Sequence, residues 1–247
     1  PTRGSQLIER QLAHRSVRAF TEQPIPTETL EILIQAGQSA ARSSLIQAYS
    51  VIRVTRPTVR AAIAEAAGGQ EWIERAAEFL VFCADLRRVD DACRRAGQGP
   101  LEGYAEHGLA AVIDVALMAQ NLLLAAESLG LGGVFIGGIR NDIQRVADLL
   151  KVPRLVVPVF GMCLGWPADQ PEVKPRMPVG LILHQDQYQD PPPAAIAEYD
   201  ALMADYYGAR FSGRKRSDWT SNTAVAMQGK KRPHMLDFLQ QQGFCRR

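Results

Sequence analysis

The longest apolar stretch of this 247-residue chain runs from Leu109 to Leu131, and it decides much of the architecture. Polar residues interrupt it, among them Asp114, Gln120, Asn121 and Glu127. A membrane span needs about 20 predominantly apolar residues, so these interruptions argue for a buried helix instead. We predict a helix over residues 107–129 that is apolar around most of its circumference. Such a helix belongs in the middle of a domain or in a dimer interface.

The remaining pattern is mixed α+β in one domain over residues 1–247. Apolar residues make up 47% of the chain, enough for a sizeable core, which excludes global disorder. Strands are predicted at 49–55, 79–84, 155–164 and 180–184, with another inside GLGGVFIGG, and Asn141 is predicted to cap a following helix. Residues 86–104 read as a surface helix plus loop. The N-terminal segment has no hydrophobic signal core and the four cysteines are widely separated, so we expect a cytoplasmic location.

Charge is distributed unevenly along the chain. Residues 210–247 hold nine Lys or Arg and two acids, whereas the other residues hold 19 bases and 24 acids. A basic tail on an acidic body indicates a polyanionic partner, an anionic ligand or an interface with a second copy. Nucleic acid is the weaker explanation, because the tail lacks the aromatic spacing of single-strand binders.

Two compact basic segments are candidate anion sites. In HRSVRAF, residues 14–20, Arg15 and Arg18 would share one side of a helical turn, with Ser16 as a hydroxyl donor between them. In KPR, Lys174 and Arg176 would share one face of an extended segment that Pro175 stiffens. For each segment the alternative is a solvated surface turn. A single anion site built from both is the more specific hypothesis.

Signatures of common active sites are missing from the sequence. GLGGVFIGG does not fit the GxGxxG spacing, since its sixth position is Phe135, and Gly137 and Gly138 end a strand instead. GxSxG, HExxH and paired metal-ligand histidines do not occur, so we predict no catalytic side chain and no metal site. If the chain is an enzyme, a bound cofactor carries the chemistry.

Several segments, in their order along the chain, resemble one family. They are HRSVRAF, ARSSLIQAYSVIRV, AGGQEWIERAAEFLVFCAD, AAESLGLGGVFIGGIRND, VFGMCLGWPADQPEVKPR and KKRPHMLDFLQQQGF. Together they resemble the oxygen-insensitive NADPH nitroreductases and NADPH-flavin oxidoreductases. The resemblance implies a nitroreductase-type α+β fold with a mixed central sheet enclosed by helices. It also implies a homodimer in which a C-terminal extension, about residues 195–247, wraps the partner subunit.

The resemblance further implies FMN, tightly but non-covalently bound at the dimer interface. Residues that would hold its phosphate are His14, Arg15, Ser16, Lys174 and Arg176. Residues that would face the ring are Arg18, Gln70, Ile136, Gly137 and Gly138. Ser43 would add a cofactor contact and Ser44 a substrate contact, in a segment where the family has a run of serines and this chain has Arg42. Arg210 would contact the extra phosphate of NADPH, and Lys215 falls where the family has another basic residue in the same NADPH-binding loop. Arg232 would lie at the mouth of the substrate pocket.

The activity that the resemblance implies is a two-electron ping-pong cycle. NADPH would reduce the flavin by hydride transfer, and a nitroaromatic, quinone or related small molecule would then reoxidise it. The alternatives are an NADPH-flavin reductase that supplies reduced flavin, a protein that only stores flavin, and a nucleic-acid-binding protein. We expect neither a nucleic-acid nor a membrane partner.

Overall fold

The computed structural model describes residues 5–210, 217–229 and 231–247. The strands are β1 (Tyr49–Arg53), β2 (Glu78–Asp85), β3 (Gly132–Ile136) and β4 (Val156–Gly165). The first helices are α1 (Gln6–Leu12), α2 (Thr27–Gln38), α3 (Pro57–Ala66), α4 (Trp72–Arg75) and α5 (Arg87–Arg95). The later helices are α6 (Ala105–Ser128), α7 (Ile143–Leu149), α8 (Pro193–Arg210), α9 (Trp219–Gly229) and α10 (Met235–Gln241).

The four strands form one sheet in the order β1-β2-β4-β3. All three pairings among the described strands are antiparallel. Every residue of β2 is buried, because this central strand is covered on both faces. Its continuous apolar run therefore lacks the alternation of a half-exposed strand.

Helices cover both faces of the sheet. On one face α2 and α6 pack against Leu80 and Phe82 of β2. On the other, α3 and α7 pack against Phe79 and Val81 of the same strand. This arrangement confirms the α+β fold class with a sheet enclosed by helices. Within the described residues, however, the sheet is antiparallel and not mixed as expected.

The long helix α6 has the length and hydropathy of a membrane span. Ten of its residues are nevertheless buried, and they include Asp114 and Glu127. Its opposite face leaves apolar side chains exposed in the isolated chain, among them Leu109, Ile113 and Leu117. The buried face fits the predicted core helix.

The chain divides into two compact units. The first, here called the sheet unit, comprises residues 1–171 and 232–247, and the second, the helical unit, comprises residues 172–231. In the helical unit α8 and α9 contact each other, and the side chain of Tyr199 in α8 lies against Trp219 in α9. The prediction of one domain over residues 1–247 stays a prediction.

Two local predictions are wrong. Residues 180–184 do not form a strand, since a 3₁₀ turn at Val179–Leu181 occupies this mostly exposed segment. Asn141 does not cap α7; the side chain of Asp142 accepts the hydrogen bond from the Arg145 backbone N–H at 3.2 Å. Asn141 instead lies inside the 3₁₀ segment Gly137–Asp142, and its side-chain oxygen accepts hydrogen bonds from Arg232.

Candidate functional site

Residues 14–19 contain neither a helix nor a turn, so the predicted helical turn is wrong. The Val17 backbone N–H donates to the Gly133 carbonyl at 3.0 Å, and Phe20 forms a β-bridge with Pro167. The side chains of Val17 and Phe20 lie against Gly132 of β3 and Gly165 of β4, two glycines that pair with each other in the sheet. A Cβ atom on Gly132 would lie 2.6 Å from Val17 Cγ2, and one on Gly165 would lie 2.8 Å from Phe20 Cδ1. The core of the sheet unit therefore fixes the backbone of this basic segment.

His14, Arg15 and Ser16 are all half-buried beside the C-terminal end of α6. His14 Nδ1 lies 2.5 Å from Glu127 Oε1, and Arg15 Nη1 donates to the Pro171 carbonyl at 3.3 Å. A cavity of about 220 Å³ adjoins them, lined by Arg10 and Arg15 as well as Glu127. The carboxylate of Asp169 also lines this cavity. The structure therefore places the Arg15 guanidinium beside a cavity of mixed charge and holds the His14 ring against a buried carboxylate.

The residues predicted to face the flavin ring also come together. The Arg18 guanidinium lies 5.8 Å from the Trp72 ring centroid, within cation–π range. Gln70, two residues before Trp72, donates from Nε2 to the Ala67 carbonyl at 2.8 Å. Gly138 fits tightly here, because a Cβ atom at that position would lie 2.6 Å from the Ala67 oxygen. Ile136 is the buried last residue of β3, and Gly137 follows it directly.

Ser43 and Ser44 lie elsewhere on the chain. The Ser43 backbone N–H donates to Asp114 Oδ1 at 2.8 Å, whereas His14 contacts Glu127 on the same helix. Asp114 and Glu127 are thirteen positions apart in α6, which corresponds to about 20 Å along the helix axis. One chain therefore does not bring these serines to the basic segment.

Arg232 contacts the 3₁₀ segment that follows β3. Its Nε and Nη2 atoms both donate to Asn141 Oδ1, at 3.0 and 2.7 Å. Nearby Arg140 is half-buried, and burial, followed by the charge of Arg232, lowers its pKa. This arrangement holds Arg232 next to the turn that contains Gly137 and Gly138.

The other predicted cations belong to the helical unit. Lys174 Nζ lies 5.9 Å from the Tyr207 ring centroid, and the Tyr199 hydroxyl donates to the Pro175 carbonyl at 3.2 Å. Burial raises the pKa of Tyr199, and the charge of Arg176 opposes this shift. The KPR segment is therefore fastened to α8.

Of the two residues predicted to bind NADPH, only Arg210 lies in the part of the chain that the structure describes. Arg210 ends α8 and donates from Nη1 to the Tyr206 hydroxyl at 2.9 Å. Lys215 lies outside the described residues.

A larger cavity, about 540 Å³, is lined by residues of α2, β1 and α6, including Ile34, Tyr49 and Met118. Its described lining includes none of the predicted site residues. Volume alone is therefore a poor guide to the site in an isolated chain.

Sequence reasoning missed Asp114, Glu127 and Trp72 as partners of site residues. The signal for the two carboxylates was present, since each interrupts an apolar helix, and a buried carboxylate needs a hydrogen-bonding partner. Cys83 and Cys163 are buried in the core, and burial raises the pKa of Cys83 to about 12 and raises that of Cys163 as well.

Comparison with known families defines the class. Residues 12–166 match the nitroreductase family, and residues 174–247 match the C-terminal domain of that family. The chain therefore belongs to the nitroreductase family.

Individual relatives are similar over almost their whole length. The chain is 45% identical to an oxygen-insensitive NADPH nitroreductase of Salmonella typhimurium, covering 98% of this chain and 100% of the relative. It is 44% identical to an NADPH-flavin oxidoreductase of Vibrio harveyi, covering 97% and 98%. Among solved structures, the NfrA1 nitroreductase of B. subtilis has a TM-score of 0.94 at 35% identity, covering 98% of this chain and 100% of that one.

Proposed function

We propose that this protein is an NADPH-dependent oxidoreductase that binds FMN tightly and reduces nitroaromatics, quinones or related flat acceptors in a ping-pong cycle. The observation that carries the proposal is the fixed basic segment 14–18, which lies beside Gln70 and a glycine turn. The names of the relatives, nitroreductase and flavin oxidoreductase with NADPH, support the same activity.

The donor set fits FMN. Arg15 offers a guanidinium for a phosphate, and the carboxylate of Glu127 orients His14 beside it. Arg18 and Gln70 offer a cation and an amide for the polar edge of a flavin ring. Gly137 and Gly138 carry no side chains of their own, which favours a close approach of a flat ligand to their backbone N–H groups. FMN, when bound, supplies the hydride chemistry, so the chain itself has to bind, orient and admit reactants.

A second role is the supply of reduced flavin to other enzymes. The identity to an NADPH-flavin oxidoreductase is only one percentage point below that to the nitroreductase. Both roles use the same site and differ in the molecule that accepts the electrons. Comparing turnover with free FMN and with a nitroaromatic at equal concentrations separates the two.

We also propose a homodimer with the exposed face of α6 in its interface. Leu109, Ile113 and Leu117 expose between 42% and 58% of their surface in the isolated chain. The separation of Ser43 from His14 supports the same arrangement, because a second copy can bring one set near the other. Sedimentation should give twice the 27.1 kDa of one chain, and a stable FMN-containing monomer would contradict the proposal.

The deciding experiment on function is FMN content. The purified protein should be yellow and release equimolar FMN on denaturation. Arg15→Ala should weaken FMN binding by about 10- to 150-fold, the effect of losing a charge-assisted hydrogen bond. Arg145→Ala, which removes a surface arginine paired with Glu65, is the matched control and should bind FMN normally. A colourless protein that cannot be reconstituted with FMN would refute the proposed function.

The cytoplasmic location remains part of this proposal. All four cysteines are free thiols, as expected in a reducing compartment.

A further inference from the structure

The loop between α2 and β1 has a strained backbone. Ser44, Leu45 and Gln47 have φ angles of 43°, 58° and 48°. Left-handed conformations of this kind are unfavourable for residues other than glycine and persist only where surrounding contacts hold them. The contacts of this loop therefore determine whether Ser43 and Ser44 keep their positions.

The carboxylate of Asp114 binds this loop from the interior of the protein through hydrogen bonds. It lies in the middle of α6 and exposes only 1% of its surface. Its Oδ1 accepts the Ser43 backbone N–H at 2.8 Å, and its Oδ2 accepts the Ala48 backbone N–H at 3.3 Å. The two oxygens thus bind both ends of the strained segment, and these bonds offset the cost of burying the carboxylate.

Arg42 binds the backbone at the start of the same loop, next to the end of α2. Its Nη1 donates to the Gln38 carbonyl at 2.6 Å and to the Ala40 carbonyl at 2.9 Å. Gln38 is the last residue of α2 and Ala40 follows two residues later, so the guanidinium lies at the C-terminal end of this helix, where a cation is favourable. Arg42, the residue that departs from the family's serine run, is therefore turned back onto its own helix.

Tyr49, the first residue of β1, lies within electrostatic range of both groups. Burial raises the pKa of its hydroxyl; the charge of Arg42 opposes this shift and that of Asp114 adds to it. Among the described residues the buried hydroxyl of Tyr49 has no hydrogen-bond partner, so these two charges affect it through space.

We propose that Asp114, assisted by Arg42, is the positioning residue of the loop 43–47 and sets where Ser43 and Ser44 meet flavin and acceptor. This role rests on the proposed function. It also explains why a carboxylate interrupts the most apolar helix of the chain.

Asp114→Asn tests the role with a small change in shape. One side of the amide is an NH₂ donor, so one of the two backbone N–H groups loses its acceptor. In the FMN-loaded protein, hydrogen exchange of the segment 42–49, followed by mass spectrometry, should become about tenfold faster. FMN release and the KM for a nitroaromatic should rise several-fold, while kcat at saturating FMN stays near that of the wild type.

Asp148→Asn is the matched control, because it makes the same chemical change at an exposed carboxylate on α7. It should change neither exchange of the loop nor KM. A merely structural loss at Asp114 would accelerate exchange in β2 as well and leave the KM of the folded enzyme unchanged. That result, or unchanged exchange of segment 42–49, would overturn the proposal.

Arg42→Ser provides a second, milder variant if Asp114→Asn does not fold. It removes the contacts to α2 and should move exchange, FMN release and KM in the same direction by a smaller factor. Unchanged exchange and KM in Arg42→Ser would refute the part assigned to Arg42. A wild-type protein without FMN or NADPH oxidation would refute the proposed function instead, and loop exchange would still decide whether Asp114 holds the loop.

Discussion

The sheet unit and the helical unit hold their basic residues in different ways. In the sheet unit the segment 14–20 is fixed by backbone pairing and by two glycines that admit Val17 and Phe20. In the helical unit Lys174 and Arg176 are held against α8 by two tyrosines. Among the described residues of α8 and α9, only Tyr199 and Met203 are buried.

This difference shows two ways to position a basic side chain: through a backbone fixed by a hydrophobic core, or through a few side-chain contacts. A backbone fixed by the sheet cannot move unless the sheet does, so Arg15 and Arg18 depend on global stability. Segments held by a few side chains open with smaller free energies. We therefore expect substitutions in the sheet unit to change unfolding of the whole chain, and those in the helical unit to change ligand binding and local opening.

The largest expected effect is from Phe82→Ala in the sheet unit. Phe82 is fully buried in β2 and packs against Phe160 with 5.5 Å between ring centroids. The cavity should cost about 3–5 kcal/mol in the free energy of unfolding, measured by urea denaturation. Met203→Ala is the counterpart in the helical unit and should leave the main transition in place. A comparable loss of global stability in Met203→Ala would contradict the expectation that only substitutions in the sheet unit change unfolding of the whole chain.

The same contrast explains what the sequence could predict. The apolar run of β2 and the long helix α6 were recognised because burial imposes their patterns. The helix α9 was missed because none of its described residues is buried, so it has no apolar stripe. The non-helical form of segment 14–19 depends on Gly132 and Gly165, which are more than a hundred residues away and become meaningful only once β3 and β4 pair.

Arg210→Ala should give the next largest effect, and it concerns ligand binding in the helical unit. If Arg210 contacts the extra phosphate of NADPH, KM for NADPH should rise about 10- to 150-fold, with little change for NADH. Tyr206→Phe removes the hydroxyl that accepts from Arg210 and should cause a smaller rise. Steady-state kinetics with both nucleotides measure this, and equal effects on NADPH and NADH would show that the phosphate assignment is wrong.

Asp90→Asn tests a polar contact inside the sheet unit, because Asp90 joins α5 to the segment that follows it. Asp90 is the one buried residue of this helix and accepts from the Leu101 backbone N–H at 2.6 Å and from Arg94 Nε at 2.7 Å. Burial alone would raise the pKa of Asp90, but these hydrogen bonds outweigh it and lower the pKa. We expect a loss of about 1–2 kcal/mol, since exposed Arg94 is screened by solvent.

The sign of the pH dependence follows from the lowered pKa. The contribution of Asp90 is fully present above the ordinary aspartate pKa of about 3.9 and is lost as pH falls through the lower pKa of the folded state. The difference in unfolding free energy between wild type and Asp90→Asn should therefore be constant near neutral pH and shrink in acid. Urea titrations at several pH values measure it, and a difference that grows in acid would contradict the assignment.

The smallest effect should come from Tyr199→Phe, which tests how the KPR segment is held. The change keeps the buried ring but removes the hydroxyl that donates to the Pro175 carbonyl. Losing this bond should cost about 0.5–1.5 kcal/mol. Because the change lies within the helical unit, we expect faster hydrogen exchange in residues 172–178 and slightly weaker binding of FMN, with an unchanged urea midpoint.

Tyr188→Phe is the control, because it removes the hydroxyl of an exposed ring in the same unit. It should change neither the hydrogen exchange of residues 172–178 nor the binding of FMN. A shift of the urea midpoint in Tyr199→Phe as large as that of Asp90→Asn would mean that both units unfold together, and the contrast between them would fail.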